Sequence, residues 1–290
     1  MPSQQKPEAR RTFHPGAQDR FLARLYGSAA GRLLLKPLVS PVVSRVAGAL
    51  LNTRLSTVLI KPFIRANGID MSPYEPGPYR SYNAFFSRRI KPECRPIDRD
   101  PAHLIAPCDS KLTALPISRE LRFTLKNTEY TLQSLLRDEA LARAFEGGYA
   151  LIFRLTVDDY HRYCYIADGT KGDNVRIPGV LHTVNPIAND HVPIYKENAR
   201  EYTVLHTEAF GDVVMMEVGA LLVGRIVNHH QAAAVRRGEE KGYFQFGGST
   251  VVLLLEKERV CMDADILENT RCGRETVVRM GERIGCAVLR

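Results

Sequence analysis

From residue 101 onward, the chain consists of short apolar runs separated by glycine, proline, aspartate and asparagine. Five runs rich in β-branched residues are 150–157 (ALIFRLTV), 213–218 (VVMMEV), 221–227 (LLVGRIV), 250–255 (TVVLLL) and 277–279 (VVR). Runs of this length, bounded by turn formers, are typical of β-strands. One segment with helical character, 132–145, interrupts them. The pattern predicts a mostly antiparallel β domain over residues 67–290.

The N-terminal part of the chain has a different pattern. Residues 1–18 are polar and contain three prolines, which predicts a disordered tail. Residues 19–66 carry apolar residues at helical spacing with arginines between them, which predicts amphipathic helices. The predicted fold class is therefore α+β, with a helical N-terminal region followed by the β domain.

Positive charge is concentrated in the N-terminal region. Residues 1–66 hold eleven Lys/Arg against two Asp/Glu, a net charge of +9, whereas the whole chain carries +8. The longest uncharged stretches between residues 20 and 66 are eight residues, and a membrane-spanning helix needs about 20. Three interpretations are open: a helical layer packed on its own domain, an anionic membrane surface, or nucleic acid. Aromatic residues are sparse among the basic ones, which disfavours nucleic acid.

The composition places the chain among globular proteins. Hydrophobic residues make up 44% and charged residues 25%, which excludes wholesale disorder. The six cysteines form no CxxC pair and no metal-ligand spacing. We therefore expect an intracellular protein with free thiols and no structural metal.

Two segments carry clustered polar side chains of the kinds that catalysis uses. In 106–111 (APCDSK), Asp109 stands in a turn before a predicted strand, where many aspartates only cap the turn. In 158–165 (DDYHRYCY), His161 stands among acids, an arginine, a cysteine and three tyrosines, directly after a predicted strand. A structural and a catalytic role are both open for this histidine.

Two further segments hold a histidine and a serine. His182 lies in 180–186 (VLHTVNP), which the pattern predicts to be a strand, and its role is likewise open. In 238–250 (GEEKGYFQFGGST), two glycines precede Ser249 at the mouth of a buried strand and make the backbone there permissive. A plain turn is the alternative. A phosphate loop and a hydrolase nucleophile turn are disfavoured, because neither GxxxxGK[ST] nor GxSxG is present.

The 238–250 segment resembles the processing site of the phosphatidylserine decarboxylase family. Other segments resemble blocks of that family in the family's order: 82–98 (YNAFFSRRIKPECRPID), 106–112 (APCDSKL), 158–164 (DDYHRYC), 182–188 (HTVNPIA), 198–227 and 279–285 (RMGERIG). The resemblance extends from about residue 80 to the C-terminus and rests on the ordered set rather than on GGST alone.

The resemblance implies a self-cleaving proenzyme that is cut between Gly248 and Ser249 into fragments 1–248 and 249–290. The Ser249 hydroxyl attacks the Gly248 carbonyl, the ester eliminates to dehydroalanine, and hydrolysis leaves a pyruvoyl group. That group forms a Schiff base with the amine of phosphatidylserine, and carbon dioxide leaves to give phosphatidylethanolamine. The self-made pyruvoyl group is the cofactor that the resemblance implies, with neither PLP nor a metal.

The same resemblance assigns roles to three side chains and leaves one role open. It implies that Asp109 orients the base that activates Ser249, and that His161 acts in decarboxylation. The family commonly carries HxxH where this chain has His161 and Cys164. A neutral thiol, with an ordinary pKa of about 8.5, is a poor proton acceptor. Our hypothesis is that His182 or His161 is the processing base.

The expected partners follow from the resemblance and the charge. Phosphatidylserine is the implied substrate, and an anionic membrane surface attracts cations by about 1 kcal/mol per Lys/Arg. We expect a peripheral protein on the cytoplasmic side of the cell membrane, with no nucleic acid partner and with a homodimer as one open option. Two alternative functions are a pyruvoyl-dependent decarboxylase of a free amino acid and an inactive, membrane-associated homologue.

Overall fold

The structure, a computed structural model, describes residues 41–125, 128–182, 194–219, 225–245 and 249–288. The predicted tail over 1–18 and the first part of the predicted helical region lie outside the described residues. In what is described of 19–66, the chain is helical, as predicted.

Helices lead into a fold that is otherwise built from strands. The α-helices are α1 (Pro41–Leu51), α2 (Ile60–Asn67), α3 (Tyr82–Phe86), α4 (Leu132–Leu136), α5 (Glu139–Ala144), α6 (Ile194–Glu197) and α7 (Ala264–Arg271), with 3-10 helices at Arg54–Leu59 and Pro92–Cys94. The strands are β1 (His103–Ile105), β2 (Ser110–Pro116), β3 (Arg122–Leu125), β4 (Thr128–Thr131), β5 (Tyr149–Leu155), β6 (Arg162–Cys164), β7 (Gly169–Lys171), β8 (Val175–Ile177), β9 (Arg200–Thr207), β10 (Gly211–Val218), β11 (Ile226–Asn228), β12 (Ala233–Val235), β13 (Glu240–Phe244), β14 (Ser249–Leu255), β15 (Val260–Met262), β16 (Thr276–Val278) and β17 (Arg283–Ala287).

A nine-stranded sheet forms the centre of the molecule. Its order is β12-β7-β9-β10-β14-β5-β2-β16, and β8 also pairs with β9. Smaller sheets are β1-β17-β15, β11-β13-β6 and β3-β4. All of these strand pairs are antiparallel, which confirms the predicted α+β class with a mostly antiparallel β domain.

Strand β14 lies in the middle of this sheet, and both of its faces are covered. Side chains alternate between the faces of a strand. Val251 and Leu253 accordingly pack into one hydrophobic cluster, and Val252 and Leu254 pack into a second cluster on the other face. An uninterrupted apolar run is what a strand covered on both sides requires. This explains why the sequence signal for 250–255 is continuous rather than alternating.

The N-terminal helices form a layer that packs on the β domain through α3. The Tyr82 main-chain N–H donates to Ser56 Oγ (2.8 Å), and Asn83 Nδ2 donates to the Gly48 carbonyl (3.1 Å). The Phe63 ring packs edge-on against Tyr82, 5.4 Å between centroids. Among the described residues, no helix is long and apolar enough to span a membrane.

The predicted helix over 132–145 is two short helices rather than one. α4 ends at Leu136, because the next residue, Arg137, has a φ of 54° in the left-handed region, which stops the helix. Asp138 then begins α5 by accepting a hydrogen bond from the Leu141 N–H (2.9 Å). An N-capping aspartate inside a periodic segment is the sequence signal for this break.

Candidate active site

Ser249 is the first residue of β14, the strand between β5 and β10. It pairs with Leu155 on β5 and is fully buried. Because Val251 faces the first hydrophobic cluster, Ser249 faces the same side of the sheet. Its Oγ has no hydrogen-bond partner among the described residues. The other half of the predicted cleavage site, Gly248, lies outside the described part of the chain.

Asp109 lies at the same end of the central sheet as Ser249. It immediately precedes β2, which is separated from β14 only by β5. Two strand spacings correspond to about 10 Å. The Asp109 carboxylate accepts a two-point contact from Arg95, with Nε 2.8 Å from Oδ1, and a hydrogen bond from the Met280 N–H (2.9 Å). In the described structure, its hydrogen bonds therefore go to Arg95 and Met280 rather than to a histidine.

A cavity of about 310 Å³ opens beside Arg95 and Met280. Arg95 and Met280, which both contact Asp109, line it together with Cys164 and Arg162. The cavity therefore borders the residues that hold Asp109, but neither Asp109 nor Ser249 lines it.

His161 lies in the connection between β5 and β6 and is fully buried. Its Nδ1 is 2.9 Å from the Asp159 carbonyl oxygen, and its ring packs 4.0 Å from the Phe86 ring. Its Nε2 has no partner among the described residues. The His161 carbonyl accepts a hydrogen bond from the Phe244 N–H (2.9 Å), so the histidine is tied to β13, the strand that precedes Ser249.

Burial, and then the nearby Arg88 charge, lowers the pKa of His161 to about 3. The imidazole is therefore neutral at physiological pH. A carbonyl oxygen can only accept, so Nδ1 carries the proton and Nε2 presents a lone pair. His161 is thus neutral with an available lone pair on Nε2, as a general base must be, but its low pKa makes it a weak base in this structure.

The loop that carries His161 is anchored to the central sheet by Asp159. This carboxylate, on a side chain that is 13% exposed, accepts hydrogen bonds from Lys111 Nζ on β2 (2.7 Å) and from the Thr156 N–H (2.6 Å). The position of His161 is consequently fixed relative to β2, next to which Asp109 lies.

Cys164 occupies the position where the resemblance led us to expect a histidine. Its main-chain N–H donates to the Pro107 carbonyl (2.9 Å), so it lies beside the segment that carries Asp109. Burial raises the pKa of the thiol to about 12. The thiol is therefore protonated at neutral pH and cannot serve as the base.

The strand predicted around His182 is wrong for the described residues. Val180 makes only an isolated bridge with Asn198, and residues 183–193 lie outside the described part of the chain. The side chain of Asn198 explains this local structure. It accepts from the His182 N–H (2.8 Å) and donates to the His182 and Gly219 carbonyls (2.8 and 2.7 Å), replacing strand pairing with side-chain bonds.

The same contacts place His182 near the reactive end of the sheet. Gly219 directly follows β10, and Val218 pairs with Thr250, so Gly219 lies beside Ser249. The His182 Nε2 is 3.6 Å from a Glu197 carboxylate oxygen, and burial lowers the pKa of His182. The structure thus brings His161 and His182 to the Ser249 end from different sides.

Arg95 was not singled out in the sequence, although it bonds Asp109. It lies fourteen residues from its partner across irregular chain, and no spacing pattern marks such a pair. Within the described ranges, no group of three or more His, Cys, Asp or Glu side chains is arranged to hold a metal, and the six cysteines are free thiols.

Comparison with known proteins agrees with this arrangement. The chain matches the family model described as phosphatidylserine decarboxylase over residues 82–286. It is 48% identical over 262 residues to a protein of Clostridium acetobutylicum named phosphatidylserine decarboxylase proenzyme 2, covering 90% of each chain. It is 38% identical over 275 residues to a phosphatidylserine decarboxylase proenzyme of Clostridium botulinum strain 657, covering 93% of each chain.

A third relative, the phosphatidylserine decarboxylase proenzyme of Clostridium perfringens strain SM101, is 38% identical over 266 residues. Together with the antiparallel fold and the buried serine, these matches define a carboxy-lyase, an enzyme that removes carbon dioxide from its substrate. The chain belongs to the phosphatidylserine decarboxylase family.

Proposed function

We propose that this chain cleaves itself between Gly248 and Ser249 and then converts phosphatidylserine to phosphatidylethanolamine and carbon dioxide. The observation that carries the proposal is the Ser249 hydroxyl, which is fully buried and bonded to no described residue. A buried hydroxyl without a partner costs about 1–3 kcal/mol. A reactive role explains why that cost is retained at the start of the central strand. Family membership supplies the substrate and the type of reaction.

His161 is the proposed base for self-cleavage. Its Nε2 takes the proton from Ser249 Oγ, which attacks the Gly248 carbonyl carbon and displaces the amide nitrogen to form an ester. His182 is the alternative, and its contact with Glu197 makes its ring less available. The role that the resemblance gives to Asp109, orienting the base, stays a prediction, because its carboxylate bonds Arg95 and Met280 in this structure.

A pyruvoyl group made from Ser249 fits this position. The residue is held by its pairing with Leu155, and no structural hydrogen bond to a described residue is lost when its hydroxyl is consumed. The group supplies an electron-withdrawing carbonyl for the loss of carbon dioxide. The role of His161 in decarboxylation stays a prediction, because a ring with a pKa of about 3 takes a proton from an ammonium group at neutral pH only if the anionic substrate raises that pKa.

The N-terminal layer is the proposed membrane contact, on the cytoplasmic side of the cell membrane. Five large apolar side chains are exposed within it: Val46, Leu50, Leu55, Val58 and Leu59. Leu55 and Val58 are 82% and 73% exposed, and exposed basic residues accompany them: Arg54, Lys61 and Arg65. Clustered apolar side chains with flanking cations are what an interfacial helix presents to an anionic bilayer. We call these eight residues the helical patch.

Release of carbon dioxide from carboxyl-labelled substrates tests the proposed function. Wild-type protein should decarboxylate phosphatidylserine in mixed micelles and leave free serine unchanged. Ser249→Ala should release carbon dioxide from neither substrate. Activity on free serine alone would favour the free amino acid decarboxylase. No activity on either substrate by a chain that stays in one piece would favour the inactive homologue.

A further inference from the structure

Arg88 is a buried cation whose hydrogen bonds are incomplete. It follows α3 and is 2% exposed. Its guanidinium lies over the rings of Tyr74 and Phe85, at 4.0 and 4.9 Å from their centroids, and Nη1 is 3.4 Å from the Phe85 carbonyl. Its Nε and Nη2 have no partner among the described residues. Buried donors without partners are rare and costly, so this pair requires an explanation.

The two unpartnered nitrogens form one edge of the guanidinium. Two other arginines of this protein use the same edge to hold an oxyanion: Arg95 grips Asp109 and Arg154 grips Glu275, each through Nε and Nη2. Two parallel N–H groups match the oxygen spacing of a carboxylate or a phosphate. Arg88 therefore presents the geometry of an oxyanion site with no protein oxyanion in it among the described residues.

The position of Arg88 connects this edge to the active site and to the helical patch. Its neighbour two residues earlier, Phe86, packs on the His161 ring, and the Arg88 charge is close enough to lower the pKa of His161. On the other side, α3 is bonded to the helical layer through Ser56. The segment that carries Arg88 therefore connects the helical layer to His161.

We propose that Arg88 binds the phosphodiester group of the lipid headgroup through Nε and Nη2, an inference that rests on the proposed function. The headgroup has a second anion, its carboxylate, which leaves as neutral carbon dioxide. A cation fixed on that carboxylate would stabilise the starting state and slow its loss. The phosphodiester keeps its charge throughout, so a fixed arginine can orient it without raising the barrier. This contact also distinguishes the lipid from free serine, which has no phosphate.

The test uses a short-chain phosphatidylserine in neutral detergent micelles, so that membrane binding does not enter the measurement. Arg88→Gln keeps His161 and Ser249 and should still self-cleave, but it removes a charge that lowers the pKa of His161, so the assay uses fully cleaved protein of each variant. Its kcat/KM should fall by about 10- to 100-fold, as expected for the loss of a charge-assisted contact. Arg88→Lys keeps the charge but not the two-point edge, and should lie between wild type and Arg88→Gln.

Arg89→Gln is the matched control, because it removes the same charge from the next residue. The Arg89 side chain is 60% exposed, and its ion pair with Glu240 is long, at 3.9 Å. This variant should therefore behave as wild type. Unchanged kcat/KM in Arg88→Gln would overturn the proposal.

Inhibitor binding identifies which anion Arg88 holds. Glycerophosphoethanolamine has the phosphodiester without the carboxylate, and serine has the carboxylate without the phosphodiester. Wild type should bind glycerophosphoethanolamine at least about tenfold more tightly than ethanolamine, and Arg88→Gln should lose that advantage. Equal binding of glycerophosphoethanolamine and ethanolamine by wild type would overturn the proposal, even if both Arg88 variants fail to fold. Loss of serine binding alone in Arg88→Gln would assign Arg88 to the carboxylate instead.

A wild-type protein that binds these probes but releases no carbon dioxide would contradict the proposed function and leave the Arg88 site supported.

Discussion

The Nδ1 of His161 lies 2.9 Å from the carbonyl oxygen of Asp159, and this contact sets which ring nitrogen is basic. The carbonyl accepts the Nδ1 proton, so the lone pair is on Nε2, which no described residue bonds. Burial keeps the ring neutral by lowering its pKa to about 3. This arrangement affects both the stability of the protein and its processing.

The stability of the folded protein should decrease as the pH is lowered, because folding holds His161 neutral. The pKa of the folded state lies below the ordinary value of 6.5, so the unfolded chain binds the proton more readily. The contribution of His161 to stability is complete above about pH 6.5 and declines as the pH falls toward 3. We expect the urea midpoint of Ser249→Ala protein to fall between pH 7 and pH 5, and His161→Gln in that background to reduce the fall. Equal slopes in the two proteins would show that His161 is not held neutral.

Self-cleavage should depend on His161 and not on Cys164. Cys164→Ala should cleave at close to the wild-type rate, because a thiol with a pKa of about 12 carries its proton at pH 7. His161→Gln should slow cleavage by about 100-fold or more, the usual contribution of a general base. Gel electrophoresis of the fragments over time measures both rates. Normal cleavage in His161→Gln together with failure in His182→Gln would assign the base to His182.

Membrane binding should depend on the apolar side chains of the helical patch. Leu55→Glu combined with Val58→Glu should weaken flotation with phosphatidylserine-containing vesicles by at least about tenfold, because two exposed apolar side chains lose their contact with lipid. Val175→Glu is the matched control, since Val175 is exposed on β8 outside the patch. Added salt should weaken wild-type binding by screening the basic residues. Unaltered flotation of the double variant would rule out the patch as the contact.

The buried ion pair between Lys241 and Glu217 should be important for stability. Lys241 Nζ lies 2.7 Å from Glu217 Oε2, and both side chains are fully buried. Lys241→Met leaves the carboxylate unpaired in the core and should cost about 3–5 kcal/mol, whereas Lys241→Met with Glu217→Leu should cost much less. Glu268→Gln, which removes an exposed pair with Arg271, should change the free energy of unfolding by less than about 1 kcal/mol.

Urea denaturation in the Ser249→Ala background measures all of these variants on a single chain. Equal costs for the single and double changes would contradict the prediction that the unpaired Glu217 carboxylate is the source of the cost. The comparison also separates a structural role of this pair from any role in processing, because the background does not cleave.

The sequence predicted the elements whose signal is local. The apolar run after Ser249 is a continuous signal, and the structure places it in the central strand. The strand expected at His182 failed because Asn198, sixteen residues away, takes over its main-chain hydrogen bonds. Such a long-range side-chain contact leaves no periodic trace in the sequence.

The inward orientation of Lys241 was equally hidden. The pairing of β13 with β6 shifts register between Glu240 and Gly242, and this bulge places Lys241 against Glu217 in the core. Strict alternation would have put Lys241 and Tyr243 on one face. In the same way, nothing in the sequence run that contains Arg88 and Arg89 indicates that the first side chain is buried and the second is exposed.

Intact-protein mass spectrometry of the purified chain shows whether Ser249 becomes the pyruvoyl group. We predict two fragments, 1–248 and 249–290, with the smaller one lighter by one ammonia than a chain that begins in serine. Ser249→Ala should give one uncut chain. A single full-length mass for wild type, or a small fragment that begins in unmodified Ser249, would contradict the claim that Ser249 becomes the catalytic pyruvoyl group.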